Sequence, residues 1–395
     1  MKKIIRILIL CLGCIGACWL LPACSSAIEE PESGGGGDDY PATLTFHTAV
    51  PGAGTRAGDI PEREEIERLR IIVVDEETNK VDYNRLNNFP NRDGSTYTIG
   101  LDKGGKKLLY LLANTENLPN LVIPSEGQDW DNAVDNHVIT SLPEGRLPFT
   151  SKYEVEVAEE EEEDTDGDET TEGDAPADVV PEIPEDYTCY IAIAAVKFSF
   201  TFTNNTGQEI TVSDFKISSI ADCSYLLPHN EKWDEWVENV TGDGAKEYFT
   251  KYEIPSEAEH DVFTVPIPSS GNEGESEAGT GTSTSSFTVL AEEGNNTYTI
   301  PDFYCHESKY LPYPDVTEQH YTIHFSIDGK SYDAEIKDNT GALKSLIRST
   351  HVIVNIEINK LAGSDDHQIV VWGKITDWTT DTAIEGGLEE LLSEP

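Results

Sequence analysis

Several short stretches hold residue types that could do chemistry, and each lacks something the chemistry needs. His306-Glu307-Ser308-Lys309-Tyr310 begins like a zinc-protease helix, but Tyr310 stands where the second histidine must close the metal site. His320 and His324 are four apart on a strand pattern, roughly 13 Å end to end, too far to share an ion. Asp164-Thr165-Asp166-Gly167-Asp168 has the carboxylate spacing of a calcium loop. Glu169 then replaces its glycine, and Ala175 its closing glutamate. No nucleophile elbow, phosphate-binding loop or dinucleotide-binding glycine fingerprint occurs. The 74 acidic residues offer many carboxylate pairs for glycoside hydrolysis, and no local signature selects one. The reading is a protein that is not an enzyme and has no cofactor or metal.

One cysteine does point to chemistry. Met1-Lys2-Lys3-Ile4-Ile5-Arg6 and the apolar run from Ile7 to Leu21 make a basic n-region and an h-region. The run is 15 residues long, short of the roughly 20 that cross a bilayer. It ends in Leu21-Pro22-Ala23-Cys24-Ser25-Ser26, which resembles a bacterial lipobox. There the Cys24 thiol takes diacylglycerol, residues 1–23 are removed, and further acyl chains such as palmitate complete a stable anchor. Ser25, rather than Asp, resembles sorting to the outer membrane. The alternative is an ordinary secretory signal that happens to end beside a cysteine. Cys11, Cys14 and Cys18 would leave with the signal, so Cys11-x-x-Cys14 is no redox motif. Cys189, Cys223 and Cys305 remain, allowing at most one disulfide within the chain; near apolar residues they read as buried thiols.

The 395 residues carry 27 basic and 74 acidic side chains, a net charge of −47. Without residues 1–23 the count is 24 against 74, or −50. Such a charge excludes nucleic acid as a partner and direct adsorption to anionic lipid, since both need a positive footprint. With 37% apolar and 9% aromatic residues, the chain still has the means to fold.

The elements that must position these residues are strands. Residues 28–40 read as a Glu/Gly/Asp tether. Ala42 to Val50 alternates, with Ala42, Leu44, Phe46 and Val50 on one side and Thr43, Thr45 and His47 on the other. Pro51 to Gly58 is then an exposed loop. Glu62 to Leu69 suggests a short helix feeding an apolar strand, Arg70 to Val74, and Leu108 to Ala113 a second buried strand. The segment 159–186 holds 15 acids and no Lys or Arg, and reads as a solvated insert; 271–286 reads as a second mobile loop. Alternation is clean at Val196, Phe198, Phe200 and Phe202; at Tyr321, Ile323, Phe325 and Ile327; and at Val352, Val354, Ile356 and Ile358. Asp328-Gly329 predicts a tight hairpin turn into Tyr332, Ala334 and Ile336. These signals predict a mainly β chain: two β-sandwich domains in tandem, 57–190 and 191–395.

Several stretches together resemble the fimbrillins of Bacteroidales bacteria, the subunits of type V pili. They are Thr55-Arg56-Ala57-Gly58 with Glu65 to Asp75; Lys107 to Asn114, ending in Ala-Asn; Ala195-Val196-Lys197-Phe198 running to Asn204-Asn205-Thr206; Ser224-Tyr225-Leu226-Leu227-Pro228; Phe303-Tyr304 with Glu307; and Arg348-Ser349-Thr350-His351. Their order matches over nearly the whole mature chain, and the insert at 159–186 departs from the pattern. The resemblance implies transthyretin-like, Greek-key sandwiches and a lipoprotein precursor carried to the outer membrane. It implies an Arg-specific protease cutting between Arg56 and Ala57, which would release residues 24–56 with Cys24 and the first strand.

Loss of that strand would uncover unpaired backbone and an apolar groove. An extended segment of another fimbrial subunit could fill it by β-augmentation. Leu44, Phe46 and Val50 are the apolar residues of the displaced strand. The donor candidate is Gln368 to Trp378, with Ile369, Val371, Trp372 and Ile375 as its characteristic side chains. The expected function is therefore a structural subunit of a cell-surface fimbrium with a role in adhesion. A version that keeps its lipid would anchor the fimbrium instead. Another class, a surface glycan-binding lipoprotein, would use exposed aromatics among Trp130, Trp233, Trp236, Trp372 and Trp378. A first strand locked in the middle of its layer, with Arg56 inaccessible, would count against strand exchange.

Overall fold

Period-2 alternation is the dominant pattern, and the computed structural model is accordingly almost all strand. It describes residues 40–50, 60–91, 94–132, 134–158, 188–229, 253–266, 286–292, 294–309, 321–338, 341–342, 345–361 and 368–377. Cys24, Arg56, Ala57, the tether, the acidic insert with its calcium-like spacing, the 271–285 stretch, His320, Trp233, Trp236 and Trp378 lie outside those residues.

The first half builds two facing sheets. One takes β2 (Arg68–Asp75), β3 (Lys80–Asn88), β5 (Gly105–Ala113), β7 (Phe149–Val157) and β9 (Ala192–Ile193), in the order β3-β2-β5-β7-β9. The other has three strands, β4 (Ser95–Leu101), β1 (Ala42–Ala49) and β8 (Thr188–Tyr190), with β1 in the middle. The apolar runs in β2 and β5 are continuous because both faces of that sheet are covered. Ile71, Val73, Leu109 and Leu111 point into the core shared with β1 and β4. Ile72, Val74, Tyr110 and Leu112 point the other way, into a cluster with Trp130, Val134 and Ile139.

The second half is another pair of sheets. One runs β15 (Thr297–Cys305), β10 (Val196–Asn204), β22 (Thr350–Lys360), β23 (Gln368–Asp377). The other runs β13 (His260–Thr264), β11 (Ile210–Ala221), β17 (Thr322–Ile327), β18 (Lys330–Glu335), with β14 (Ser286–Val289) also paired to β11. Phe198, Phe200 and Phe202 of β10 meet Phe215, Phe287 and Phe325 in this core. The β17–β18 turn has φ of 49° at Asp328 and 80° at Gly329, the left-handed pair that an Asp-Gly hairpin requires. Short two-residue pairings complete the chain. They join β6 (Val138–Ile139) to β12 (Ser224–Tyr225), β16 (Ser308–Lys309) to β21 (Ser345–Leu346), and β19 (Lys337–Asp338) to β20 (Gly341–Ala342). The described residues, from Tyr40 to Asp377, belong to one compact unit.

The helix read at Glu62 to Leu69 is instead a three-residue 3-10 turn, Glu62–Glu64. Strand pairing claims the end of that stretch: Arg68 faces Asn88, and Leu69 faces both Asn87 and Ala113. A sheet partner on both sides outweighs a weak local helix preference.

Candidate strand-exchange site

The strand β1 is built by its alternation. Ala42, Leu44, Phe46 and Val50 are buried in the first core, while Thr45 and His47 face out to Thr98 and Thr96 at 3.2 Å each. Seven antiparallel pairs, Ala42↔Leu101 to Thr48↔Ser95, bind it to β4. On its other edge only three parallel pairs, His47↔Thr188 to Ala49↔Tyr190, bind it to β8. The Thr48 hydroxyl reinforces that short side by donating to the Cys189 carbonyl at 2.6 Å. Residues 42–46 have no strand on that second edge among the described residues. The Tyr40 ring covers Gly100 so closely that a Cβ there would collide with it. The strand is thus central in its sheet but unequally held. Arg56, the other half of the condition set against exchange, lies outside the described residues.

Downstream of residues 51–59 the chain is fastened at once. Glu64 is fully buried, and its Oε1 takes hydrogen bonds from Tyr304 Oη at 2.9 Å and Lys197 Nζ at 3.3 Å. Lys197 also pairs with Asp302 at 3.2 Å. Arg63 donates to the carbonyls of Pro143 and Gly145, and its guanidinium lies 4.6 Å from the Tyr304 ring centroid. Burial lowers the Arg63 pKa, and burial followed by the Glu64 charge raises that of Tyr304. These groups tie the start of β2 to the sheet of the second half. Lys197 alternates outward from the second core, yet the first half covers it, so it is buried with carboxylate partners rather than exposed.

The C-terminal strand is an edge strand of its own chain. Ten antiparallel pairs join β23 to β22, Thr350↔Asp377 to Lys360↔Gln368, with one register shift. Ile369 and Val371 pack, half-buried, against the second core, Trp372 is also half-buried, and the Ile375 backbone faces Val352. Gly373 meets Ile336 at a distance no Cβ would tolerate. The opposite edge of β23 carries no strand among the described residues.

The other motifs converge on a joint between the two halves. The Arg348 guanidinium gives two hydrogen bonds to Glu307 Oε1, at 2.6 and 3.0 Å, and others to the carbonyls of Tyr225 and Leu226 at 2.6 and 2.8 Å. Three stretches far apart in the chain therefore meet at one buried cation. Beside it the buried His306 shares a 2.9 Å hydrogen bond with Ser224, and burial lowers its pKa to about 4. Asn114 donates to the carbonyls of Glu65 and Leu147, and Asn204 to those of Gln208, Val289 and Leu290. These are structural joints. Sequence reading missed Glu64 and Lys197; a lysine inside a phenylalanine-rich strand was the available signal.

Among the described residues no group of three or more His, Cys, Asp or Glu is arranged to hold a metal. Cys189, Cys223 and Cys305 are free and buried. Burial pushes the Cys189 and Cys223 thiols up to about 12. Trp130 is 1% exposed and donates to Asp135 at 2.9 Å, so it is no glycan platform.

No protein-family model matches the chain, and no curated protein matches it. Solved structures do. The fimbrilin FimA of Porphyromonas gingivalis is 12% identical, with a TM-score of 0.48, over 86% of this chain and 98% of that one. The tip fimbrial protein Mfa3 of the same organism is 12% identical, with a TM-score of 0.43, over 85% of this chain and 100% of that one. The fimbrial anchor protein Mfa2 is 10% identical, with a TM-score of 0.37, over 85% and 98%.

Proposed function

We propose that the protein is a structural subunit of a cell-surface fimbrium that serves adhesion and polymerises by strand exchange after an Arg-specific cut. The carrying observation is the asymmetric hold on β1: seven pairs on one edge, three on the other. Apart from its inward side chains, neither the five-stranded sheet nor the second core depends on it. Once cut from Ala57, the strand is a separate piece of chain, and its departure leaves a groove with a free edge on both sides. An incoming strand in that groove gains backbone hydrogen bonds at about 1 kcal/mol each and buried aliphatic side chains at roughly 1.5–3 kcal/mol each. Ordering costs of association subtract from that sum.

Of the mature chain's arginines, Arg56 and Arg92 lie outside the described residues, and the resemblance points to Arg56; the others are held in place. Arg68, Arg70 and Arg85 lie within paired strands. Arg63 and Arg146 are held by side-chain hydrogen bonds, and Arg348 is buried. In the proposed sequence of events the lipidated precursor reaches the outer membrane through Cys24. The protease frees it there, and the β23 segment, detaching from β22, serves the next subunit as donor. The test is brief digestion of the precursor with an Arg-specific protease. The expected result is one early cut after Arg56, followed by ladders that resist sodium dodecyl sulfate. A first cut elsewhere, or a trimmed protein that stays monomeric, overturns the proposal.

A further inference from the structure

A cleft of about 410 Å³ opens beside the β6–β12 pairing, on the outer side of the first half. That volume falls in the range of small-ligand sites, roughly 300–1,000 Å³. Its floor is apolar: Leu118 and Ile139 are buried members of the cluster around Trp130. Its polar side chains are Asn120, Asn136, His137, Thr140 and Ser141, and the Asn136 amide already donates to the Asn132 carbonyl at 3.2 Å. None of the nine lining residues is charged, although 26% of the chain is Asp, Glu, Lys or Arg. A cleft so neutral on so acidic a molecule offers nothing to an ionic ligand. Asn120 has φ of 62°, a left-handed conformation that asparagine tolerates and that sets its amide at a loop tip. The backbone of His137 is spent, its N–H on Val134 and its carbonyl on Leu226. Its ring, however, has no hydrogen-bond partner among the described residues, nor do the side chains of Asn120, Thr140 and Ser141. Burial lowers the His137 pKa, so at neutral pH the ring carries one donor and one acceptor.

Every one of these groups can both donate and accept. A hydroxyl does the same, and the C–H face of a pyranose suits the apolar floor. A peptide strand would instead ask for a longer open edge than β6 offers, which is two residues long and already paired to β12 on one side. We propose that this cleft binds a neutral saccharide of about one or two rings, held by Asn120, His137, Thr140 and Ser141 over Leu118 and Ile139. It involves no residue of the strand-exchange site, so its failure would leave that reading untouched.

The test is saturation-transfer difference NMR and titration on the full chain. The probes are mannose, N-acetylglucosamine and lactose, with glucuronate as a charged comparison and a blocked Gly-Ser-Thr-Gly peptide as a neutral peptide. At least one neutral sugar should saturate the protein, and glucuronate should bind more weakly. Asn120→Gly and Thr140→Ala should each weaken binding about three- to tenfold, the loss of one hydrogen bond. Both side chains are exposed, and glycine keeps the left-handed backbone at 120, so both variants should keep the parent melting temperature. Three results overturn the proposal: no neutral sugar saturates, binding is unchanged in both variants, or the peptide binds better than every sugar.

Discussion

Arg348 joins parts of the chain that local sequence cannot connect. Its guanidinium is fully buried, and Glu307 with two backbone carbonyls takes up its donors. Removing one member of such a pair leaves the other charged and unpaired, a loss of about 3–5 kcal/mol. Arg348→Ala should therefore lower the urea midpoint sharply, whereas Lys80→Ala, which breaks an exposed pair with Asp129, should change it little. The neighbouring His306 makes the joint sensitive to acid. The folded ring takes its proton only near pH 4, against an ordinary 6.5. Its contribution is whole above pH 6.5 and is lost as pH falls from there to about 4, up to about 3 kcal/mol. A melting-temperature series over that window should fall steeply, and more shallowly in His306→Asn. At lower pH Asp75 takes over. Burial alone would raise its pKa, but hydrogen bonds from Lys107 and Thr78 prevail and hold it at about 2, from an ordinary 3.8. Its stabilisation is present above 3.8 and fades as pH falls toward 2.

At the scale of elements, what matters about β1 is what fastens each side of it. Phe46 is its largest inward side chain and contacts Tyr97 with ring centroids 5.8 Å apart. Phe46→Ala should cost about 3–5 kcal/mol of packing and speed loss of the 24–56 fragment after the cut, read by size-exclusion chromatography of digested protein. A release rate equal to the parent's would mean that backbone pairing, not core packing, retains the strand. The β23 segment poses the converse question. Since Ile369 and Val371 touch the second core, detachment uncovers part of it, and a chain ending at residue 367 should bind a hydrophobic dye more strongly than the parent.

For the whole molecule, charge is the governing quantity. Trimmed copies, residues 57–395, carry 23 basic and 69 acidic side chains, −46 each, and repel one another before any strand can exchange. Raising sodium chloride from about 0.01 M to about 1 M shortens the screening length from about 30 Å to about 3 Å. Ladder formation by trimmed protein should accelerate several-fold across that range, measured by densitometry of timed samples; no acceleration would mean that the acidic residues lie away from the joint.

Strand positions were legible because alternation is a local property: Val196 to Phe202, Val352 to Ile358 and the Asp328-Gly329 turn show their period and turn chemistry in consecutive residues. The inward set Ala42, Leu44, Phe46 and Val50 was legible for the same reason. Neighbour relations were not. That β1 lies between β4 and β8, that Glu64 meets Lys197 across 133 positions, and that β23 lies along β22 depend on contacts between distant segments. Burial of Trp130 was equally out of reach, since a lone tryptophan looks the same in a core or on a rim. Alternation says which side of a strand is apolar; only the assembled sheets decide which partner that side meets, because pairing energy belongs to two segments at once.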